Sequence, residues 1–279
     1  MTRAMHTRYV TLADEEIATP RDGVIKLHGE AAFAGMRRAG ALAAAALDII
    51  EPFVVPGAVT AEIDARILDY IVAAGAVPAT VGYRGYAHAS CISINQVVCH
   101  GIPSEKTLKD GDIVNIDITV IVDGWHGDTS RTFLVGDVPL KARRLVEVTY
   151  ECLMLGLEAA RPGNTIGDIG WAIQSHAERH RYGVVREFCG HGLGRLFHDA
   201  PEVVHVGPPG SGPELRPGMF FTVEPMINLG KPGVKVLADG WTAVTRDRSL
   251  TAQFEHSIGI TETGCEIFTL SAAEKARGL

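Results

Sequence analysis

The sequence predicts an α/β protein, in the α+β sense, built from two related halves packed face to face around a shared acidic centre. Two observations carry this expectation: a long-period duplication, and a hairpin signal with one acid on each strand.

The duplication is read from matching segments. Pro56-Gly57 precedes a helical pattern with apolar residues at Ile63, Ile67, Leu68, Ile71 and Val72. Pro162-Gly163 precedes another, with Ile169, Ala172 and Ile173. Thr165 and Asp168 give that second helix a capping-box start. Further on, Leu108-Lys109-Asp110-Gly111 leads into an apolar strand that reaches Asp117. Leu215-Arg216-Pro217-Gly218 leads into Phe220-Phe221-Thr222-Val223 and then Glu224. The helix starts lie 106 residues apart and the strand starts 107. Each half thus reads as helix, glycine turn, strand, carboxylate. Two copies at so long a period do not make a solenoid.

The hairpin spans Ile113 to Val122 and Trp125 to Phe133, joined by Asp123-Gly124. An Asp-Gly pair between β-branched runs is a strong turn signal. A two-residue turn there sets Asp128 opposite Thr119 and Asp117 opposite Ser130. Side chains alternate along a strand, so Asp117 and Asp128 share one face as diagonal neighbours, roughly 7–8 Å apart at Cα. Such a pair either faces solvent or holds a cation, because burying two unpaired carboxylates is costly. The hairpin by itself does not choose, and a bulge would shift the register.

Composition sets the outer bounds. The 279 residues are 46% hydrophobic and 21% charged, which suits a globular chain with a sizeable core. The net charge of -7 argues against a nucleic-acid surface. Five cysteines without a C-x-x-C pair fit reduced, buried thiols rather than a disulfide framework. Residues 1–29 lack the apolar core of a signal peptide and read as an N-terminal extension; residues 30–279 read as one catalytic domain. Ala31 to Ile50 is apolar but interrupted by Arg37, Arg38 and Asp48, so a buried helix is expected there, with no membrane span and a cytoplasmic location.

Further candidates lie in the second half. Gly190-His191-Gly192 brackets a histidine with glycines that let the backbone approach a ligand, and His198 follows. Glu224 ends an apolar strand and Glu255 sits in another strand-like run. Singly, each acid is as consistent with a surface position.

Together these segments resemble the methionine aminopeptidases. The resemblance runs from about residue 30 to about residue 268. It rests on Val98-Cys99-His100-Gly101-Ile102-Pro103, Asn115-Ile116-Asp117, Asp123-Gly124-Trp125-His126-Gly127-Asp128, Gly190-His191-Gly192-Leu193-Gly194, Phe221-Thr222-Val223-Glu224-Pro225-Met226 and Phe254-Glu255-His256. It implies the pita-bread fold: two pseudosymmetric halves with a central antiparallel sheet covered by helices. It implies Asp117, Asp128, His191, Glu224 and Glu255 as ligands of two divalent cations, with Asp128 and Glu255 shared between them. It places His100 and His198 beside them as substrate-contacting residues and lines a methionine pocket with Tyr83, Tyr86, Cys91, Phe197 and Trp241; the acid–base chemistry of such a site then points to His100, His198 and Glu224 as catalytic, with Glu224 as the proton shuttle. Only 25 residues separate His198 from Glu224, which leaves no room for the helical insertion of the type II enzymes, so the chain resembles the bacterial type I form.

Four carboxylates and one imidazole suit Mn²⁺, Fe²⁺, Co²⁺ or Zn²⁺ without choosing among them, and two divalent ions would neutralise the four carboxylates. The implied activity is hydrolysis of the first peptide bond of nascent chains that begin with methionine, preferentially before a small second residue. The family expectation is a monomer, with the ribosome as a candidate partner. Arg84 and Thr80 depart from the bacterial pattern, where a histidine and a cysteine are usual, and bear on substrate preference. His126 and His256 adjoin ligands as candidate supporting partners; His176 and His180 read as core or helix-end histidines. Competing readings are an Xaa-Pro aminopeptidase or dipeptidase on the same fold and a non-catalytic, ribosome-associated binding protein.

Overall fold

The structure is a computed structural model and describes residues 7–13 and 23–276. Much of the expected N-terminal extension lies outside the described residues.

The described chain begins with a parallel pair, β1 (Arg8–Thr11) and β2 (Val24–Leu27). The first half follows: α1 (Glu30–Ile50), α2 (Thr60–Ala73), β3 (Val77–Pro78), β4 (Ser90–Ile94), β5 (Val97–Cys99) and the long hairpin β6 (Ile113–Val122) and β7 (Trp125–Leu134). The second half holds α3 (Leu140–Ala159), α4 (Ile166–Arg179), β8 (Gly183–Val184), β9 (Gly190–Gly192), β10 (Asp199–Val203) and β11 (Phe220–Val223). Then come β12 (Met226–Asn228), β13 (Val234–Val236), β14 (Ala243–Thr245), β15 (Thr251–Gln253), β16 (Glu255–Ile260), β17 (Cys265–Ile267) and α5 (Ala272–Ala276). The main antiparallel sheet runs in the order β10-β9-β11-β16-β7-β6-β3, with β4 also on β6 and β17 on β16. Two smaller sheets, β15-β12-β8 and β13-β14-β5, complete it.

The duplication is visible in the backbone. Val59 bridges Thr107 in the first half and Thr165 bridges Glu214 in the second. Gly57 donates to the Leu108 carbonyl and Gly163 to the Leu215 carbonyl, each at about the same place in its half (2.8 and 3.0 Å). Ile63, Ile67 and Ile71 of α2 match Ile169, Ile173 and Ala177 of α4, and all six are buried. The repeated spacing therefore encodes a repeated face: each helix lays one apolar stripe on its own half of the sheet. The capping box at Thr165 and Asp168 forms as expected. Its counterpart in the first half does not exist, because Val59 stands at that position and caps nothing.

The alanine-rich stretch is the buried helix α1. Its Ala, Met and Leu face is covered, while Arg37 and Arg38 point outward. No helix among the described residues is long and apolar enough to cross a membrane. A Cβ on Gly127 of β7 would overlap the Ala39 backbone, so glycine there lets α1 lie directly on the hairpin. All five cysteines are free, and three are buried.

Residues 23–28, within the stretch read as an extension, are built into the body. Val24 and Ile25 are buried, and Ile25 joins the core of the second half. Lys26 is buried and ion-paired with Asp199 of β10. The His28 ring stacks on Phe220 at 4.4 Å.

Candidate metal centre

The β6–β7 hairpin fixes the first two acids. Its ten pairs run without interruption, with Asp117 opposite Ser130 and Thr119 opposite Asp128. The two turn residues take positive φ, 50° at Asp123 and 79° at Gly124, as a tight Asp-Gly turn requires. No bulge disturbs the register.

Glu255 opens β16, which pairs with β7 so that Glu255 also faces Ser130. Asp117, Ser130 and Glu255 thus form one row across three strands, and Asp128, two residues from Ser130, shares its face. On the other side of β16, Val223 pairs with His256, and Glu224 is the next residue of that register. β9 pairs with β11, and the His191 amide donates to Thr222 Oγ1 at 3.0 Å. His191, Glu224, Glu255, Asp128 and Asp117 therefore come one each from five neighbouring strands: β9, the end of β11, β16, β7 and β6.

The electrostatics explain what this row can do. Asp128, Glu224 and Glu255 are all buried. His191 Nε2 lies 3.6 Å from Asp128 Oδ2 and 3.8 Å from Glu224 Oε1. One donor atom each from Asp128, His191 and Glu255 falls within 4.8 Å of the other two. Burial raises the pKa of all four carboxyls; for Asp117, Glu224 and Glu255 the neighbouring carboxylates push it further. Burial lowers His191 to about 4, so the ring is neutral and free to donate a lone pair. Among the described residues no lysine or arginine pairs with any of the four acids. A convergent, buried set of oxygens and one neutral imidazole, with no cationic side chain to balance it, fits divalent cations.

Each donor is also aimed. Thr119 Oγ1 donates to Asp128 Oδ1 at 2.7 Å. Thr222 Oγ1 donates to Glu224 Oε1 at 2.8 Å, and Gln253 Nε2 reaches Glu224 Oε2 at 3.3 Å. The Glu224 amide donates to His205 Nε2 at 3.1 Å. His191 Nδ1 lies 3.1 Å from the Gly192 carbonyl, which takes its proton and leaves Nε2 free toward the acids. Sequence reading passed over Thr119, Thr222, His205 and Gln253. The first two carried a signal: Thr119 faces Asp128 in the hairpin register, and Thr222 stands two residues before Glu224, on the same strand face.

The centre lies on the wall of one large cleft that also takes in His100, His198, Tyr83, Tyr86, Cys91, Phe197 and Trp241. Tyr83 Oη lies 3.0 Å from His198 Nδ1. The His198 and His191 rings are 4.2 Å apart, and the Tyr83 ring lies within 5.2 Å of both Phe197 and His198. Burial against these rings, with His191 and Arg84 adding to it, lowers His198 to about 3. His100 has φ 56°, and its ring meets Phe188 and Trp241 edge-on. Burial lowers its pKa as well. Tyr86 packs on Trp241 at 4.9 Å and donates to the Ser90 carbonyl. Arg84 and Thr80 both line the cleft, and Thr80 Oγ1 is tied to the His88 carbonyl.

The other histidines separate. His126 stacks on Phe197 at 5.6 Å and bonds the Gly194 carbonyl, so it braces the His191 loop. His256 turns away from Glu255 toward Thr269 and Glu274. His176 bonds Glu151 at 2.6 Å on α3, and His180 caps α4.

Comparison with known proteins places the chain among metallopeptidases. Residues 34–262 match the model of metallopeptidase family M24. The methionine aminopeptidase of Rickettsia prowazekii strain Madrid E is 55% identical over 248 residues, covering 88% of this chain and 96% of the relative. That of Escherichia coli K12 is 54% identical over 237 residues, covering 84% and 90%. The crystal structure of the Rickettsia prowazekii enzyme superposes with a TM-score of 0.87, covering 88% of this chain and 100% of that one. A prolidase from Pyrococcus horikoshii OT3, 23% identical with a TM-score of 0.70, shares the fold alone. The chain belongs to metallopeptidase family M24 and, within it, to the methionine aminopeptidases.

Proposed function

We propose that this chain removes the N-terminal methionine from nascent polypeptides by hydrolysing their first peptide bond at a centre of two divalent cations. The supporting observation is the convergence, on the wall of one partly apolar cleft, of four carboxylates and a neutral imidazole, with no lysine or arginine paired to the acids among the described residues. Strand order supports the division of ligands: Asp128 and Glu255 lie centrally and would be shared, Asp117 would hold one ion, and His191 with Glu224 the other. Cobalt, manganese, iron(II) and zinc all suit this donor set.

When bound, divalent ions in such a site supply the positive charge that acidifies a water towards a pKa of about 7 and polarises the scissile carbonyl. The side chains do the rest. Glu224, held by Thr222 and Gln253, takes the proton from the attacking water and passes it to the leaving amine. His198, oriented by Tyr83 Oη, donates a hydrogen bond to the carbonyl oxygen as it gains charge. His100, set by Phe188 and Trp241, contacts the substrate amide. A free, neutral α-amino group would be a further ligand at the occupied centre, which would restrict cleavage to N-termini. Tyr83, Tyr86, Cys91, Phe197 and Trp241 form the apolar pocket for the methionine side chain. One methylene of mismatch there discriminates by only about 1–3 kcal/mol, so leucine is excluded partially rather than absolutely. The catalytic domain is residues 30–279, with residues 23–28 packed into it, acting as a cytoplasmic monomer with the ribosome as a candidate partner.

Metal analysis combined with release of methionine from Met-Ala-Ser, and with an Xaa-Pro peptide as control, tests the reading. Turnover of the first peptide alone supports it. Cleavage of the second identifies an Xaa-Pro peptidase, and turnover of neither leaves a binding protein. The role of His198 is tested by His198→Ala, which lowers kcat by about a hundredfold or more at unchanged metal content. Parallel loss of metal would make His198 a ligand instead.

A further inference from the structure

A second cluster of metal-binding side chains lies on the helical layer of the second half. Glu151 projects from α3, His176 from the last turn of α4, and His180 is the cap of that helix. The two histidines stand four residues apart, so one helical turn presents both on one face. One donor atom from each of the three residues lies within 4.8 Å of the other two. His176 Nε2 already touches Glu151 Oε2 at 2.6 Å, and the two imidazole rings are 4.9 Å apart. Arg144 holds the other carboxylate oxygen, Oε1, at 3.1 Å and so turns Oε2 toward the histidines. All three residues are partly exposed, and none of them lines the catalytic cleft.

We propose that Glu151, His176 and His180 form a second metal site, separate from the catalytic centre, that takes a zinc-class transition-metal cation and ties α3 to α4. The donor set is two imidazoles and one carboxylate, with a fourth position open to water, and zinc accepts that combination tetrahedrally. Donors at about 2.0 Å from a tetrahedral ion lie roughly 3.3 Å from one another. One present donor separation is 2.6 Å and none of the three exceeds 4.8 Å, so closing the site asks for side-chain adjustments on the order of an ångström. The cation takes the place of the direct His176–Glu151 contact. Arg144 stays on Oε1, where it orients the carboxylate and weakens the site relative to an unpaired one.

The test compares wild type with the His176→Ala/His180→Ala variant. Both are stripped of metal, dialysed against excess Zn²⁺, and assayed for bound zinc per chain. The wild type should retain one ion more than the variant. Assayed with Mn²⁺, both should release methionine at the same rate, because the altered residues lie outside the cleft. Glu151→Gln keeps the shape of the site and should weaken the extra zinc at least tenfold, which covers the case in which the double variant folds poorly. Equal zinc stoichiometry in wild type and variants would overturn the proposal. Loss of the Mn²⁺-supported rate together with the ion would place these residues in the catalytic unit and overturn it equally.

Discussion

Thr222→Val isolates what the residues behind the ligands contribute. The Thr222 side chain is fully buried, donates to Glu224 Oε1 and accepts from the His191 amide, so one hydroxyl steadies two candidate ligands. Valine keeps the shape and removes both bonds. A hydrogen bond to a charged group contributes about 1.5–3 kcal/mol, and loss of a partner behind a metal ligand typically weakens affinity by about 10–100-fold. The expected result is therefore a rise of about 10–100-fold in the metal concentration that half-saturates activity, equivalent to about 1.4–2.8 kcal/mol. At saturating metal, kcat should return to within a few-fold of wild type, because Glu224 itself remains. The assay is an anaerobic metal titration following methionine release from Met-Ala-Ser. An unchanged half-saturation point would refute the aiming role. A loss of kcat that no metal concentration restores would mean that Thr222 acts in the chemistry.

Three further outcomes follow from the same coordinates. Lys26→Met leaves Asp199 without its buried partner and should cost about 3 kcal/mol of unfolding free energy, read as a lower denaturant midpoint at unchanged slope; an unchanged midpoint would mean the pair is replaceable by packing. Gly127→Ala forces α1 off the hairpin and should destabilise by about 1–3 kcal/mol or more, and a wild-type melting temperature would contradict the close approach of Ala39. In metal-free protein, burial raises the pKa of Asp117, Asp128, Glu224 and Glu255, so the native state holds protons that the unfolded state releases, and stability falls as pH rises through those values. The desolvated histidines His28, His191 and His205 have lowered pKa values and work in the opposite sense, but only below about 6.5, where the unfolded imidazoles still bind protons. Above about pH 6.5, where the histidines no longer oppose them, the metal-free melting temperature should therefore fall until the raised carboxyls have ionised, about pH 7 for Asp128, while the metal-loaded one stays level; a flat metal-free profile would mean that the carboxyls ionise at ordinary values.

The legible parts of this fold were those that local chemistry writes down. The Asp123-Gly124 turn and the alternation around it gave the hairpin register without error, because a two-residue turn allows one pairing. The isoleucines of α2 and α4 gave the duplication, because each half must bury the same stripe. What stayed hidden was long-range. Nothing near Glu255 or His191 says that β16 pairs with the hairpin or that β9 pairs with β11, since those neighbours come from distant parts of the chain. The His191–Thr222 bond and the Lys26–Asp199 pair were invisible for the same reason. So was the use of residues 23–28, where a short apolar run within a mixed, polar stretch lays Ile25 into a core built mostly from residues beyond 110.

The one-donor-per-strand layout has a consequence for how the molecule can fail. A strand that slips by one residue presents its opposite face, so a single register error in β6, β7, β9, β11 or β16 withdraws one donor completely. Such an error does not leave a slightly weaker centre; it leaves an incomplete one. Catalytic competence therefore reports the alignment of the five donor strands, and activity lost to misregister leaves a mixture of correctly aligned and dead molecules rather than a uniform set of impaired ones.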